Sequence, residues 1–175
     1  LRGPVLAGLA AATVVWFVAD GALRLLQAAA PPLPAITLNQ LDDSPLPLQS
    51  LHGQPVVLNL WATWCPPCRR EMPVFAQAQH DYPGVAVVMA NQGESGEEIA
   101  RYLQQQGLQF KLALRDPHSQ AMQAMGARAL PATLFFDENG KLVDSHLGEL
   151  TRASLRDTLA RRFGLQPEGP AHPAD

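Results

Sequence analysis

The sequence reads as an α/β protein, with a central mixed β-sheet, helices on both faces and an apolar helix ahead of the domain. Three observations carry that reading. Residues 56–61 and 85–90 are near-continuous apolar runs of strand length, as expected of strands buried on both faces. A helical stretch lies between them, which is how parallel neighbours are joined. Residues 133–136 and 142–146 flank Asp137-Glu138-Asn139-Gly140, a hairpin signal that makes the sheet mixed.

The elements follow in order. Residues 3–19 carry no charge, and seventeen residues is the lower bound for a membrane-spanning helix. Trp16 and Phe17 near one end suit an interface. The run, taken as residues 1–28, reads first as a retained signal anchor or transmembrane segment. It reads second as a cleaved signal peptide ending at Ala28-Ala29-Ala30, and third as a core helix. Residues 29–35, with Pro31, Pro32 and Pro34, read as a semi-rigid linker. The domain then runs over residues 36–164, and residues 165–175 read as a disordered tail.

Within the domain, residues 36–38 form a short strand candidate, and Asp42-Asp43-Ser44-Pro45 is turn chemistry. A helix is expected from Pro66 toward His80, with Pro66 tolerated at its start and Pro73 kinking it. Ser95-Gly96-Glu97-Glu98 has the form of a capping box, opening a helix that Gly107 ends. Residues 110–114 suggest a short strand, and Asp116-Pro117 starts a short helix ending near Gly126. Thr151 caps a last helix to Phe163 with Leu155 and Leu159 on its inner face.

Composition narrows the function. With 47% hydrophobic and 17% charged residues the chain has the makings of a real core, and a net charge of -3 gives no electrostatic case for nucleic acid. The two cysteines are Cys65 and Cys68, and a loop that short constrains almost nothing as a staple. Closed zinc coordination needs two more ligands at local spacing, and the five histidines are scattered. No metal and no other cofactor are expected.

What remains is redox chemistry. Trp64-Cys65-Pro66-Pro67-Cys68 follows a buried strand and opens a helix, where unpaired N–H groups favour a thiolate. Pro66 and Pro67 lack N–H donors, so the Cys65 thiolate is expected to be only moderately acidic, and a weakly stabilised thiolate makes a more reducing pair. In the expected cycle Cys65 attacks a substrate disulfide. Cys68, buried behind it, then attacks Cys65 and releases the reduced substrate.

The segment from Asn59 through Trp61, Trp64, Cys65, Cys68, Arg69, Arg70, Glu71 and Met72 to Pro73 resembles the active-site stretch of the TlpA/ResA-like, membrane-anchored thiol-disulfide oxidoreductases of the thioredoxin superfamily. The resemblance implies a thioredoxin-like fold, with Cys65 as nucleophile and Cys68 as resolving thiol. It implies that Trp64, Pro66 and Pro67 shape the surface beside Cys65. Leu130-Pro131-Ala132-Thr133 is similar to the family's cis-proline loop, which faces the dithiol and pairs with substrate backbone. Glu71 stands where ResA-like members carry an acid that helps move protons, and Glu94 resembles another position near the site. The chain lacks the Gly-Val-x-Gly-x-Pro-Glu loop of cytochrome c maturation members, a departure that counts against a dedicated cytochrome role.

The function expected is reduction of protein disulfides on the periplasmic side of a bacterial inner membrane. The anchor would be single-pass, the protein a monomer, and a membrane thiol-disulfide electron donor would recharge it. A disulfide oxidase or isomerase, and a copper-binding module built on the two cysteines, are the alternatives.

Overall fold

The computed structural model describes residues 31–168. The expected anchor at residues 1–28 and the end of the expected tail lie outside that range. Among the described residues no helix is long and apolar enough to cross a membrane.

The elements run β1 (Thr37–Gln40), β2 (Pro45–Pro47), a 3₁₀ turn (Leu48–Leu51), β3 (Val56–Trp61), α1 (Pro66–Asp81), β4 (Ala86–Gln92) and α2 (Gly96–Gln106). They continue with β5 (Leu112–Asp116), α3 (Gln120–Ala124), β6 (Ala132–Phe136), β7 (Leu142–Leu147) and α4 (Arg152–Phe163). One seven-stranded sheet has the order β2-β1-β5-β4-β3-β6-β7. Its centre, β5-β4-β3, is parallel, while β6 and β7 on one side and β1 and β2 on the other are antiparallel. Mixed sheets of this kind follow from chain order, because helices join the parallel strands and tight turns join the antiparallel ones.

Burial sorts the strand residues by alternation. Val57 and Trp61 of β3 and Val87 and Met89 of β4 face Met72 and Phe75 of α1, Ile99 of α2, and Leu155 and Leu159 of α4. Val56, Leu58 and Leu60 face the other way, toward Leu38, Leu48, Ala121 of α3 and Phe136. One face therefore carries three helices, and the other carries a five-residue helix, the 3₁₀ turn and the entering chain. The capping box is complete, with Ser95 Oγ accepting from Glu98 N and Glu98 accepting from Ser95 N. Gly107 ends α2 at φ +63°, where a Cβ would be strained.

Three local readings change. The stretch after Ser44 is a strand as well as a turn: β2 holds Pro45 and Pro47, and it sits at the sheet edge, where a missing N–H leaves no ladder bond unmade. Residues 31–35 do not behave as linker, because Leu33 is 1% exposed within the core and its N–H donates to Gly140 O at 2.7 Å. Pro32 also bridges to Lys141. At the other end, Leu165 N donates to Leu159 O and Glu168 N to Asp81 O, so residues 165–168 are held against the domain.

If Leu33 belongs to the core, Leu33→Ala leaves a cavity and lowers stability by about 2–5 kcal/mol in urea unfolding. A loss no larger than that of an exposed residue would return it to the linker.

Candidate active site

Strand β3 is parallel to β4 and ends at Trp61. The chain then turns through Ala62 and Thr63 into α1, so the motif stands at the carboxyl end of the parallel strands, where open α/β sheets present their reactive groups. Cys65 is the N-cap of α1, with Pro66 and Pro67 in the first turn. Its sulfur accepts from Cys68 N at 3.3 Å. The two prolines leave no other donor from positions 66 and 67, so the thiolate that forms on reduction would meet one helical N–H from this turn. Cys65 and Cys68 are joined as a disulfide, with Cα atoms 5.3 Å apart. Cys65 is 3% exposed and Cys68 0%, so Cys68 is the more fully enclosed of the two.

Trp64, beside it, is 68% exposed, and Pro66 is also exposed. Pro67 is half-buried at the helix start. The Leu130–Pro131 peptide bond is cis. Leu130 is half-buried and packs against both core clusters, one of which contains Cys65 and Cys68. Pairing of Leu60 with Ala132, and of Ala132 with Leu147, sets Pro131 at the level where β3 ends. Pro131 O accepts from Gly148 N at 2.9 Å.

Glu71 lies one helical turn after Cys68, on the same face of α1. It is 1% exposed. Its Oε1 accepts from Asn59 Nδ2 at 2.7 Å and its Oε2 from Leu150 N at 2.7 Å. No salt bridge reaches it among the described residues. Burial pushes this carboxyl up to about 7 from the ordinary 4.5. The donors at Leu150 and Asn59 pull the other way, and the charge of Glu149 adds a small upward push. Desolvation outweighs two good hydrogen bonds because no cation offsets it.

Glu94 serves the loop before Cys65. It accepts from Thr63 N at 2.7 Å, from Asn91 Nδ2 at 2.6 Å and from the Thr63 hydroxyl. Arg69 stacks over Tyr102, 5.6 Å from the ring centre, and Arg70 pairs with Glu149 at 2.7 Å on the surface. Asn59 and Thr133 were not among the sequence candidates. The signal was present, since Asn59 is a polar residue at the centre of an apolar run that the sheet buries completely. Among the described residues no group of three His, Cys, Asp or Glu side chains gathers as a metal site would require.

The profile of the AhpC/TSA family matches residues 30–145. The chain is 32% identical to the thiol-disulfide oxidoreductase ResA of Halalkalibacterium halodurans over 124 residues, 70% of each chain. It is 31% identical to ResA of Bacillus subtilis over 128 residues, 72% of this chain and 71% of that one. Among solved structures, a thiol:disulfide interchange protein DsbE from Chlorobium tepidum superposes with a TM-score of 0.69 at 26% identity, covering 75% of this chain and 95% of that one.

The raised carboxyl makes a sign-specific statement about stability. Below pH 4.5 Glu71 is protonated in folded and unfolded chains alike. Between pH 4.5 and about 7 the unfolded chain releases the proton while the folded one keeps it, so stability falls as pH rises. Above that window the contribution is flat. Glu71→Gln, neutral throughout, lacks this slope. Its urea-unfolding free energy relative to the wild type should therefore grow by about 3 kcal/mol across the window. A difference independent of pH would mean that the carboxyl titrates as an exposed one.

Proposed function

The chain belongs to the AhpC/TSA family and is a ResA-like thiol-disulfide oxidoreductase of the thioredoxin superfamily, and from that premise we propose that it reduces protein disulfides through Cys65 and Cys68. The observation that supports this direction is the sparse donation to the Cys65 sulfur. One N–H, from Cys68, approaches it, and Pro66 and Pro67 supply none. A thiolate so weakly held gives its electrons more readily than one surrounded by donors.

In the proposed cycle the Cys65 thiolate attacks one sulfur of a substrate disulfide. A mixed disulfide forms, and the substrate's other sulfur leaves as a thiolate. Cys68 passes its proton to Glu71, which stands one turn away and titrates near neutrality. The Cys68 thiolate attacks the Cys65 sulfur, the Cys65–Cys68 bond forms, and the second substrate thiolate leaves. Two electrons have then moved from the dithiol to the substrate, and both substrate thiolates take up protons. Trp64, Pro66, Pro67, Leu130 and Pro131 form the seat on which the substrate chain lies.

The dithiol is the whole redox equipment in this reading, and no further cofactor takes part. A membrane thiol-disulfide carrier returns the pair to the reduced state. The uncharged run at residues 3–19 supports a single-pass anchor in a bacterial inner membrane, with a monomeric domain facing the periplasm.

Two measurements test the proposal. Cys68→Ser should accumulate substrate as a mixed disulfide on Cys65, and a folded variant that traps nothing refutes the two-step cycle. The reduction potential should lie close to about -270 mV, as in thioredoxin. A value near about -120 mV would make the protein an oxidant.

A further inference from the structure

The contacts of Glu71 close into a ring. Asn59 Nδ2 donates to Glu71 Oε1 at 2.7 Å and also to Thr133 Oγ1 at 3.1 Å. Thr133 lies two residues after Pro131, whose carbonyl accepts from Gly148 N at 2.9 Å. Leu150, two residues after Gly148, donates its N–H to Glu71 Oε2 at 2.7 Å. A path that leaves the carboxylate through Asn59 thus passes the cis-proline segment and returns through Leu150. Its members come from β3, α1, β6 and the loop between β7 and α4.

The ring satisfies an ionised Glu71 and not a protonated one. A carboxylate only accepts, and both groups facing it here only donate as placed. When Glu71 takes a proton, one oxygen becomes a hydroxyl that needs an acceptor. Leu150 N can never accept. Asn59 can, if its amide turns over and presents Oδ1. That oxygen is fully buried and has no hydrogen-bond partner among the described residues, so turning the amide breaks no bond on its oxygen side and remakes only the two that Nδ2 now gives to Glu71 and Thr133. Thr133 can follow the turn, because a hydroxyl either donates or accepts.

We propose that Asn59 is a positioning residue that couples the charge on Glu71 to the placement of the Pro131 substrate seat. The inference rests on the reading of Glu71 as the proton acceptor of Cys68. In the resting state the ionised carboxylate draws both arms of the ring tight with charge-assisted hydrogen bonds. As the proton arrives from Cys68, the amide turns, the Thr133 contact is remade, and the seat loosens at the step that releases reduced substrate. Other groups around Glu71 do not account for such a link. From α1 come Cys68 and Arg70, and Arg70 is paired with Glu149 of the β7–α4 loop at the surface. From β3 and β6 come the neutral Asn59 and Thr133.

The first test needs no substitution. In the oxidised wild type, carbon NMR of the Glu71 carboxyl and nitrogen–proton NMR of the Asn59 side-chain amide are followed from acid to alkaline pH. Both signals should move with one midpoint. An Asn59 amide that stays constant through the Glu71 titration overturns the proposal. The second test uses Asn59→Leu, similar in volume and without a donor. The Glu71 midpoint should rise by about one pH unit or more, because a donor to the charged form is lost. The pH profile of KM for a disulfide-bonded peptide should cease to follow the Glu71 midpoint, because this variant also loses the contact to Thr133. A third variant, Thr133→Val, keeps the Asn59–Glu71 bond and cuts the link to the seat. It should leave the midpoint near its wild-type value while KM ceases to follow it. An unmoved midpoint in Asn59→Leu, or a KM profile in Thr133→Val that still follows Glu71, refutes the coupling. Mixed-disulfide trapping by Cys68→Ser does not depend on Asn59. A trap that forms beside a silent Asn59 therefore sinks this inference alone, and a trap that fails sinks the proposed cycle, whatever the NMR titration reads.

Discussion

A carboxylate held out of water without a cation is the constraint on which this site depends. An ionised group in that position normally forces either a compensating positive charge or a shifted titration. Glu71 has no ion-pair partner among the described residues, and its titration shifts. The donors that keep it ionisable, Asn59 and Leu150, come from strand β3 and from the loop between β7 and α4. The position of the helix that carries both cysteines is therefore tied to the chemistry of a group beneath them. A neutral side chain at position 71 would fill the space, but it would not draw these elements together with charge-assisted bonds.

The sheet explains why the parts meet. Parallel pairing of β3 with β4 puts the start of α1 at one end of the sheet, and antiparallel pairing of β6 with β3 brings the beginning of β6 to that same end. Pro131 precedes β6, so the cis peptide and the cysteine turn come to one level although 63 positions separate Cys68 from Pro131. Glu94 follows β4 and reaches the same level, holding Thr63 just before Trp64 and Cys65. Three strand ends thus supply the cysteine turn, the cis-proline segment and the loop that braces the turn.

Features decided by a few neighbouring residues were legible in the sequence. The cysteine pair, the Ser95 capping box, the Gly107 stop and the hairpin at Asp137-Glu138-Asn139-Gly140 each depend on local geometry, and the structure has the caps and the hairpin where the pattern put them. Features decided by distant partners were not legible. Leu33 sits among prolines and reads as linker, because what buries it is a hairpin more than a hundred positions downstream. Asp42-Asp43-Ser44-Pro45 argued for a turn, and only the place of β2 at the sheet edge makes a strand with prolines tolerable just after it. Asn59 lay in plain view within an apolar run, but its meaning needed Glu71, Thr133 and Leu150 in space. Glu71 itself came from resemblance. The helix position said only that an acid near a helix start is favourable, and it said nothing of burial.

In the proposed cycle the stability cost of Glu71 and its usefulness are one quantity seen from two sides. A thiol releases its proton near about 8.5, and an ordinary glutamate would accept it only at a disadvantage of about four pH units, on the order of 5 kcal/mol. With the carboxyl raised to about 7, that disadvantage falls to about 2 kcal/mol, which a transient proton transfer during turnover can supply. The difference, about 3 kcal/mol, is the same free energy that folding loses when it holds the ionised carboxylate out of water above neutral pH. Exposing Glu71 to water would recover stability and restore the full disadvantage. A large stabilisation from solvating this acid and an unimpaired proton transfer from Cys68 are therefore mutually exclusive on this framework.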